Sequence, residues 1–374
     1  MKLERLLITC GGTGGHFYPG LAIAKAHQKR GGKVKLLLAG KNIESQQKIA
    51  AAQGVDSILL PAIPPLRQSP FKFAFMSIKG VLICLEEVYK FSPQALVGMG
   101  SYTSLPAVLA AKLKLFPRTP LYLHDGNARI GKANRIFSYL ARFLAVAFPA
   151  DNAKKIKCPL HVTGMPIREK LIESSGTLNK ADSISAINKL YQTDFDAAAP
   201  TILIFGGSQG AAEFNASLPE SLLEINDSRM QVLHLAGKSK LESTRNAYSG
   251  AVFKKLLLES SEQMEYFLGA ADIIFCRAGG SSLAELALFG KAAAMIPYPF
   301  ASEDHQRANA QCFADVDGGI ILDSKELSTS RSREIIREFL EQPDLWKKRG
   351  ENARKLAAPR AADDFLDRIE ADLN

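Results

Sequence analysis

The sequence feature that most limits the possible folds is a repeated unit of buried strand, glycine-rich turn and helix. The first copy is the apolar run Arg5–Cys10, followed by GGTGGH at 11–16 and a helical pattern. The second copy is Thr201–Phe205, followed by GGSQGA at 206–211. Glycine lets backbone N–H groups approach a ligand closely, and a helix N-terminus adds unpaired donors and a partial positive charge. Both turns are therefore candidate sites for a phosphate or diphosphate.

Short apolar runs alternate with helical patterns along the rest of the 374-residue chain. Such alternation is typical of a parallel, doubly wound α/β sheet with helices on both faces. The pattern restarts at residue 201, and Val162–Pro166 resembles a last strand that runs into a turn. We therefore predict two Rossmann-like domains that face each other across a cleft, residues 1–165 and 166–343. The predicted strands are 5–10, 33–39, 95–97, 120–123 and 143–148, then 201–205, 231–235, 252–257, 272–275 and 292–296, and Phe17–Gly31 is a predicted helix.

Two familiar phosphate-binding signatures do not fit the first turn. A Walker loop ends in Lys followed by Ser or Thr, and no Lys follows Gly15. A dinucleotide fingerprint that starts at Gly12 needs a glycine where Phe17 stands, and no acidic residue ends the second strand to bind a ribose. The remaining interpretations are a different phosphate-bearing ligand or a tight strand–helix turn that binds nothing.

Basic residues exceed acidic residues by 47 to 38, which gives a net charge of +9. The excess is uneven, because residues 1–165 contain 23 basic and 7 acidic residues and the rest of the chain is net acidic. Positive charge favours an anionic partner such as nucleic acid, phosphates or a membrane surface. No recognisable nucleic-acid-binding motif accompanies the charge, so we expect no nucleic-acid partner.

Several protein classes do not fit the sequence. No apolar run reaches the ~18–20 residues that cross a bilayer, and Met1–Cys10 does not match a signal peptide. The five cysteines are scattered without a CxxC pair, as expected for reduced thiols in a cytosolic protein. The six histidines lack zinc-ligand spacing, so we expect no structural metal. His124, His161 and His234 are predicted to be structural, and His27 to lie on a helix surface.

Further polar segments follow predicted strands, where open α/β sheets bind ligands. They are GMGSYTS at 98–104, HDGN at 124–127, CRAGGSSLAE at 276–285 and EDHQRAN at 303–309. Glu285 lies a few residues into a helix that small residues open, so its carboxylate could accept two hydrogen bonds from a ribose diol. The alternative is a carboxylate that only interacts with the helix dipole.

Together with the two glycine-rich turns, these segments resemble the MurG family of bacterial peptidoglycan glycosyltransferases. The resemblance covers about residues 3–365, and its most specific parts are GGTGGH, GMGSYTS, GGSQGA and the series from 276 to 309. It implies a GT-B architecture, no cofactor, and a C-terminal helix, here 344–374, that packs back on the first domain. It also implies inverting transfer of GlcNAc from UDP-GlcNAc to the 4-hydroxyl of MurNAc in undecaprenyl-pyrophosphoryl-MurNAc-pentapeptide.

The resemblance assigns the UDP-GlcNAc donor mainly to the second domain. The residues implied there are Arg168, Ser208, Gln209, Gly280, Ser281, Ser282, Glu285, His305 and Gln306, with Asn309 in support. Those implied to contact the donor from the first domain are Thr13, Gly14, Gly15 and Asn127, and those assigned to the lipid acceptor are Gly12, Tyr102 and Asn134. Glu285 would bind the ribose, and the helix that starts at Gly280 would receive the diphosphate.

The sequence departs from the family pattern at several positions. Asp125 replaces a glutamate, Gly126 a glutamine, Ala128 a glycine, Ser101 the glycine before Tyr102, and Ser261 an apolar residue that would lie against uracil. Most of these changes fall on the acceptor side. The resemblance therefore constrains the positioning of the acceptor less than that of the donor.

A base must take the proton of the attacking hydroxyl, and two residues are catalytic candidates. Histidine titrates near neutrality, and His16 stands at the first glycine-rich turn. The other interpretation of His16 is a residue that only positions the acceptor, and Asp125 is the competing base. The sequence leaves both alternatives open.

The segment Ser69–Lys90 alternates large apolar residues with cations. An apolar helix face with basic flanks suits contact with anionic lipid, and Leu113–Arg118 is a second candidate contact. The alternative is a core helix packed on the first sheet. With the resemblance, this pattern predicts a peripheral protein on the cytoplasmic face of the bacterial inner membrane, with other cell-wall synthesis proteins as further partners.

Three other functions are to be distinguished from this one. They are a related lipid glycosyltransferase with another acceptor, a UDP-GlcNAc epimerase of similar fold, and a membrane-docked scaffold without catalysis. An epimerase would consume UDP-GlcNAc without an acceptor. A scaffold would be expected to have lost the donor motifs, yet His16, Ser208, Glu285 and Gln306 are all present.

Overall fold

The first sheet is built from parallel strands, and its central strands are buried on both faces. The structure, a computed structural model, describes residues 2–40, 42–64, 68–112, 119–207, 210–327 and 330–374, with Ser302 described by its backbone only. The strands are β1 (Arg5–Cys10), β2 (Lys33–Leu38), β3 (Asp56–Leu59), β4 (Ala95–Gly98), β5 (Leu121–Asp125), β6 (Phe143–Val146) and β7 (Leu160–Val162). Their order is β3-β2-β1-β4-β5-β6-β7, and the central strand pairs Leu6 with Val34 on one side and Ala95 on the other.

Helices cover both faces of this sheet and close a core on each. They are α1 (Gly14–Lys29), α2 (Ile43–Ala52), α3 (Pro70–Phe91), α4 (Leu105–Lys112) and α5 (Lys132–Phe137). Leu6 packs into a core with Leu21 of α1, whereas Leu7 packs into a second core with Val88 of α3 and Phe137 of α5. Successive side chains of a strand point to opposite faces, so a strand with two buried faces is apolar throughout.

Helix α1 begins one turn earlier than predicted. The carbonyl of Thr13 accepts hydrogen bonds from the N–H groups of His16 and Phe17, at 3.2 and 3.1 Å, so the helix starts at Gly14 and not at Phe17. Gly14 and Gly15 therefore belong to the first helical turn, and Pro19 lies inside the helix. The glycine-rich segment is in this way partly loop and partly helix N-terminus.

The second sheet is also parallel and has the order β10-β9-β8-β11-β12-β13. Its strands are β8 (Thr201–Phe205), β9 (Gln231–Leu235), β10 (Lys254–Leu258), β11 (Ile273–Cys276), β12 (Ala292–Met295) and β13 (Gly319–Ile321). The helices of this part are α6 (Glu169–Thr177), α7 (Lys180–Tyr191), α8 (Ala212–Ile225), α9 (Leu241–Ala247), α10 (Met264–Ala270), α11 (Gly280–Phe289), α12 (His305–Asp315), α13 (Ser330–Glu341) and α14 (Pro343–Ala353). Two doubly wound parallel α/β sheets confirm the predicted fold class.

The chain divides into two compact units, Met1–Arg168 with Ala358–Asn374, and Glu169–Ala357. The last helix, α15 (Ala361–Leu373), belongs to the first unit, where Phe365 enters the core that contains Leu6. Helix α14 belongs to the second unit, where Trp346 is buried in the core of the second sheet. The prediction that all of 344–374 packs on the first domain is therefore wrong for the residues before Ala358.

Polar contacts hold both ends of α15 on the first unit. Arg30, just after α1, contacts Asp363 and Asp367, each at 2.6 Å. Near the end of α15, Asp372 accepts hydrogen bonds from Tyr122 Oη at 2.7 Å and Arg142 Nε at 2.9 Å. Burial alone would raise the pKa of Asp372, but these hydrogen bonds lower it overall. The acidic residues of α15 thus neutralise basic residues of the first unit.

The prediction that His27 lies on a helix surface is wrong. Its imidazole is fully buried near the end of α1, so close to Gly32 that a Cβ there would lie 2.1 Å from His27 Nε2. Burial lowers the pKa of His27. His124 is also buried, with Nε2 3.0 Å from the carbonyl oxygen of Gly164, and its pKa is lowered by the same cause.

His234 is enclosed in the core of the second unit between two polar side chains. Its Nδ1 lies 2.9 Å from Tyr248 Oη, and its Nε2 lies 3.0 Å from Asn215 Oδ1. The amide of Asn215 donates through Nδ2 to the carbonyl of Ala236, so Oδ1 faces the imidazole and can only accept. Nε2 therefore carries the proton, Nδ1 accepts from Tyr248, and burial lowers the pKa of His234 to about 3.

We expect His234 to make the second unit sensitive to acid. An unfolded histidine titrates near 6.5, so below that pH the unfolded chain binds a proton that folded His234 excludes. Its contribution to stability is complete above about pH 6.5 and is lost at ~1.4 kcal/mol per pH unit as the pH falls toward 3. Urea unfolding across this range should show a steeper pH dependence for the wild type than for His234→Gln. Equal slopes would contradict the assignment, and His305→Gln is the control for loss of a half-buried histidine.

Candidate active site

The first glycine-rich turn lies at the carboxyl end of β1 and depends on glycine for steric reasons. Gly11 and Gly12 have φ angles of +118° and +82°, and a Cβ on Gly11 would lie 2.8 Å from the carbonyl oxygen of Ala39. After this turn, Thr13 Oγ1 lies 3.0 Å from His16 Nδ1. The hydroxyl of Thr13 thus fixes the orientation of the imidazole at the start of α1.

Asp125 ends β5 and is the centre of a dense hydrogen-bond network. Its Oδ1 accepts from the backbone N–H and the side-chain amide of Asn127, both at 3.1 Å. Its Oδ2 accepts from the N–H of Gly131 at 2.9 Å and from Asn134 Nδ2 at 3.1 Å. Asp125 is only 6% exposed, so its environment is nearly dry. Each carboxylate oxygen accepts two hydrogen bonds there. This geometry is that of a residue that organises a loop.

Asn134, a member of this network, and His16 both lie close to Gly100. The Nδ2 of Asn134 also donates to the carbonyl of His124 at 3.1 Å, while no donor among the described residues reaches its buried Oδ1. A Cβ placed on Gly100, which follows β4, would lie 3.2 Å from Asn134 Nδ2 and 3.6 Å from His16 Nε2. The structure therefore brings Thr13, His16, Asp125, Asn127 and Asn134 together at the ends of β1, β4 and β5.

Tyr102 lies in a short 3-10 turn after β4, half exposed, and its Oη donates to the carbonyl of Ile63 at 3.5 Å. Ser101, just before it, has a φ of +90°, a backbone region that favours glycine. Its Oγ accepts from the N–H of Thr103 at 3.3 Å. Ser101 thus stands where the family has glycine, and its backbone is strained as a result.

A second departure from the family pattern, Gly126, lies against a buried methionine. Gly126 stands where the family has glutamine, and a Cβ on it would lie 2.5 Å from the terminal methyl of buried Met165. Met165 occupies the space that a side chain at position 126 would need. Ala128, the third departure in this loop, is fully buried.

Arg168 belongs to the first unit, although the sequence placed it in the second domain. Its guanidinium lies 5.0 Å from the ring centre of Tyr18, one turn along α1 from the glycine-rich segment. Such a cation–π contact holds the arginine beside the first turn. Sequence analysis did not identify Tyr18, and no local signal links two residues about 150 positions apart.

In the second unit, Gly280 begins α11 and Ser281 and Ser282 form its first turn, which contains no acidic side chain. The Oγ of Ser281 is buried, and no described residue is its hydrogen-bond partner. Glu285 follows about one turn later and is half buried. The free N–H groups and partial positive charge of this helix end suit an anionic group.

Two side chains of α12 bind the segments that precede α11 and α12. Gln306 Oε1 accepts from the backbone N–H of Tyr298 at 2.9 Å, and buried Asn309 donates to the carbonyl of Ala278 at 3.0 Å. His305 starts α12 and is half buried beside Gln306. Asn309 therefore connects α12 to the residues just before α11. This contact fixes the predicted donor residues of the two helices relative to one another.

Ser208 and Gln209 lie outside the described residues, as does the predicted contact Leu113–Arg118. Ser261 is described, and its Oγ lies 3.2 Å from Tyr191 Oη. In the part of the chain that the structure describes, no group of three potential metal-ligating side chains occurs.

We expect Ser101→Gly to stabilise the first unit. Strain at a positive φ costs ~1–3 kcal/mol. The Ser101 hydroxyl makes two part-buried contacts with Thr103, at 3.3 Å to its N–H and 3.0 Å to its Oγ1, and water can replace the hydroxyl there, so the loss of each contact costs about 0.5 kcal/mol, the low end of the usual range. A gain of roughly 1 kcal/mol corresponds to a rise in Tm of about 2–4 °C for a unit of this size. Ser101→Ala is the matched control, because it loses the hydroxyl but keeps the strain and should lower Tm. If calorimetry shows that Tm falls equally in both variants, the backbone at this position is not strained.

Comparison with known proteins identifies the family of this chain. Residues 6–146 match the glycosyltransferase family 28 N-terminal domain, and residues 201–365 match the C-terminal domain of the same family. A protein of Magnetococcus marinus is 31% identical over 96% of this chain and 94% of its own, and one of Desulforamulus reducens is 30% identical over 98% of both. Both are named as UDP-N-acetylglucosamine–N-acetylmuramyl-(pentapeptide) pyrophosphoryl-undecaprenol N-acetylglucosamine transferases.

A solved structure is similar over almost the whole chain. Acinetobacter baumannii MurG is 25% identical, covers 98% of this chain and 99% of its own, and superposes with a TM-score of 0.78. The two-sheet architecture is thereby confirmed as that of GT-B glycosyltransferases. The resemblance seen in the sequence is confirmed as well, and the chain belongs to the MurG family, the peptidoglycan-synthesis enzymes of glycosyltransferase family 28.

Proposed function

We propose that this enzyme transfers GlcNAc from UDP-GlcNAc to the 4-hydroxyl of MurNAc in undecaprenyl-pyrophosphoryl-MurNAc-pentapeptide, with inversion at the sugar carbon. The observation that carries the proposal is the group of His16, Asp125 and Asn134 at the strand ends of a chain that is about 30% identical to transferases of that name. UDP-GlcNAc and the lipid-linked muramyl-pentapeptide are thus the substrates, and UDP is the leaving product.

His16 is the base of this mechanism. When its Nδ1–H donates to Thr13 Oγ1, at 3.0 Å, Nε2 carries the lone pair that can take a proton. The acceptor oxygen attacks C1 of GlcNAc, the bond from C1 to the diphosphate oxygen breaks, and UDP leaves with the bonding electrons. The hydroxyl proton passes to Nε2 of His16 as the new bond forms.

Asp125 is a positioning residue and not the base. All four of its hydrogen-bond donors are N–H groups, from Asn127, Gly131 and Asn134, and they occupy both carboxylate oxygens. A proton arriving on either oxygen would have to displace one of these donors. Its role is to fix Asn127 and Asn134 on the acceptor side.

The donor is held by the residues at the starts of α11 and α12. The N-terminus of α11, from Gly280 to Ser282, suits the diphosphate, whose negative charge grows as the sugar departs. Glu285 is assigned to the ribose hydroxyls, and His305 and Gln306 to GlcNAc. Arg168, whose guanidinium lies beside Tyr18 in the first unit, is the donor-binding arginine that the family resemblance assigns.

Helix α3 is the proposed contact with anionic lipid. Phe71, Phe75, Ile78 and Leu82 recur at helical spacing on one face and are 61–92% exposed, while Gly80 and Val88 face the core. Lys72 and Lys79 lie beside this apolar stripe. A helix with this composition binds at the interface, as expected for a peripheral protein on the cytoplasmic face of the inner membrane. No helix of the described ranges is long and apolar enough to span a bilayer.

Transfer of labelled GlcNAc from UDP-GlcNAc to a short-chain lipid-linked muramyl-pentapeptide tests the reaction and its base. We expect His16→Ala to lower kcat by ~10²–10⁴-fold and to remove the acidic limb of the pH–rate profile. Asp125→Asn should keep that limb while raising KM for the acceptor. His161→Ala, a half-buried histidine of the first unit, is the control and should retain activity.

Two outcomes would contradict these assignments. Near-full turnover by His16→Ala together with loss of the acidic limb in Asp125→Asn would make Asp125 the base. Consumption of UDP-GlcNAc by the wild type without an acceptor, with formation of another UDP-sugar, would replace the proposed transfer by epimerisation.

Sedimentation with vesicles tests the lipid contact. We expect Phe71→Ser with Phe75→Ser to weaken binding to anionic vesicles by at least about tenfold, because each phenyl ring contributes ~1.5–3 kcal/mol when buried. Lys72→Gln with Lys79→Gln should weaken binding mainly at low salt, by ~1 kcal/mol per charge. Phe300→Ser, an equally exposed aromatic of the second unit, is the control. Unchanged binding of the α3 variants to the vesicles would contradict the proposed lipid contact.

A further inference from the structure

Arg277 is a buried cation in the middle of the predicted donor region, and no role follows for it from the function proposed above. It stands between the end of β11 and the start of α11, and its side chain is 11% exposed. Its Nη1 donates to the carbonyls of Ile296 and Pro297 at 3.1 and 3.3 Å. Its Nη2 forms an ion pair with Glu213.

Two aromatic rings enclose the same guanidinium. Its central carbon lies 4.8 Å from the ring centre of Phe214 and 5.2 Å from that of Tyr298. Burial lowers the pKa of Arg277, and the charge of Glu213 opposes that shift. A planar, multiply donating guanidinium suits this set of partners, whereas a lysine offers a single point charge and no flat face for stacking.

The partners of Arg277 belong to two segments that adjoin predicted donor residues, and Arg277 itself leads into a third. Glu213 and Phe214 lie in the first turn of α8, directly after the second glycine-rich turn. Ile296 and Pro297 lead from β12 into the segment whose Tyr298 N–H is bound by Gln306. The backbone of Arg277 itself continues into the first turn of α11.

We propose that Arg277 is a positioning residue for the nucleotide-sugar donor, because its one guanidinium fixes the starts of α8 and α11 and the segment before α12 relative to one another. This inference rests on the proposed donor site and extends it to a residue that need not touch the ligand. Misplacement of binding groups by about an ångström is enough to cost large factors in affinity or rate.

Binding of UDP alone, measured by titration calorimetry on the full chain, is the direct test. We expect Arg277→Lys to raise the Kd for UDP about tenfold and Glu213→Gln to raise it by a smaller factor. The double variant should be no worse than Arg277→Lys alone, because both substitutions break the same contact. In turnover assays KM for UDP-GlcNAc should rise, while KM for the lipid acceptor stays the same.

Ser221→Ala is the matched control for a general loss of stability. Ser221 lies further along α8 and is hydrogen-bonded to Ser332 at 2.8 Å, so its loss should lower Tm without changing the Kd for UDP. A folded Arg277→Lys variant with a lower Tm but the wild-type Kd and KM would overturn the inference and leave the donor site intact. Failure of the wild type to bind UDP would overturn the proposed donor and, with it, the role of Arg277.

Discussion

Burial of both faces of each parallel sheet is the constraint on which the rest of the structure depends. Strands such as β1 and β8 are apolar at almost every position, since Leu6 and Leu7 each face a core. The polar groups of the candidate site therefore lie at the strand ends and at the helix starts that follow them. His16, Asp125, Arg277 and Gly280 all occupy such positions, which is why a chain of mostly unremarkable composition carries its chemistry in short segments.

The distribution of charge follows from the same architecture. The basic excess of residues 1–165 is partly neutralised within the first unit, because α15 returns five acidic residues to it and several pair with Arg30 and Arg142. Helix α3 lies on the other face of the sheet, where Lys72 and Lys79 accompany an exposed apolar stripe. The acidic residues of α15 and the cations Lys72 and Lys79 thus lie on opposite faces of the first sheet, a distribution that net charge alone did not show.

Local patterns predicted the strands and glycine-rich turns well, because continuous apolar runs and glycine clusters are properties of neighbouring residues. The strands Asp56–Leu59 and Gly319–Ile321 were not predicted, since each is a short strand at the edge of its sheet. Long-range packing decided the rest. The burial of His27 depends on Gly32 and the chain around it, and the separation of α14 from α15 depends on which core accepts Trp346. The partners of Arg277 and Arg168 are tens of residues away or more, beyond any local signal.

The contact between Gly126 and Met165 has a consequence for how this chain relates to its family. A side chain at position 126 and the methionine at position 165 compete for one volume, so the two positions are coupled although they lie 39 residues apart. Introducing the family's glutamine alone would force the buried methionine to move, whereas a joint replacement could accommodate it. We therefore expect substitutions at positions 126 and 165 to have non-additive effects. Residues transplanted singly from relatives would report on a clash with the local background and not on the chemistry of the site.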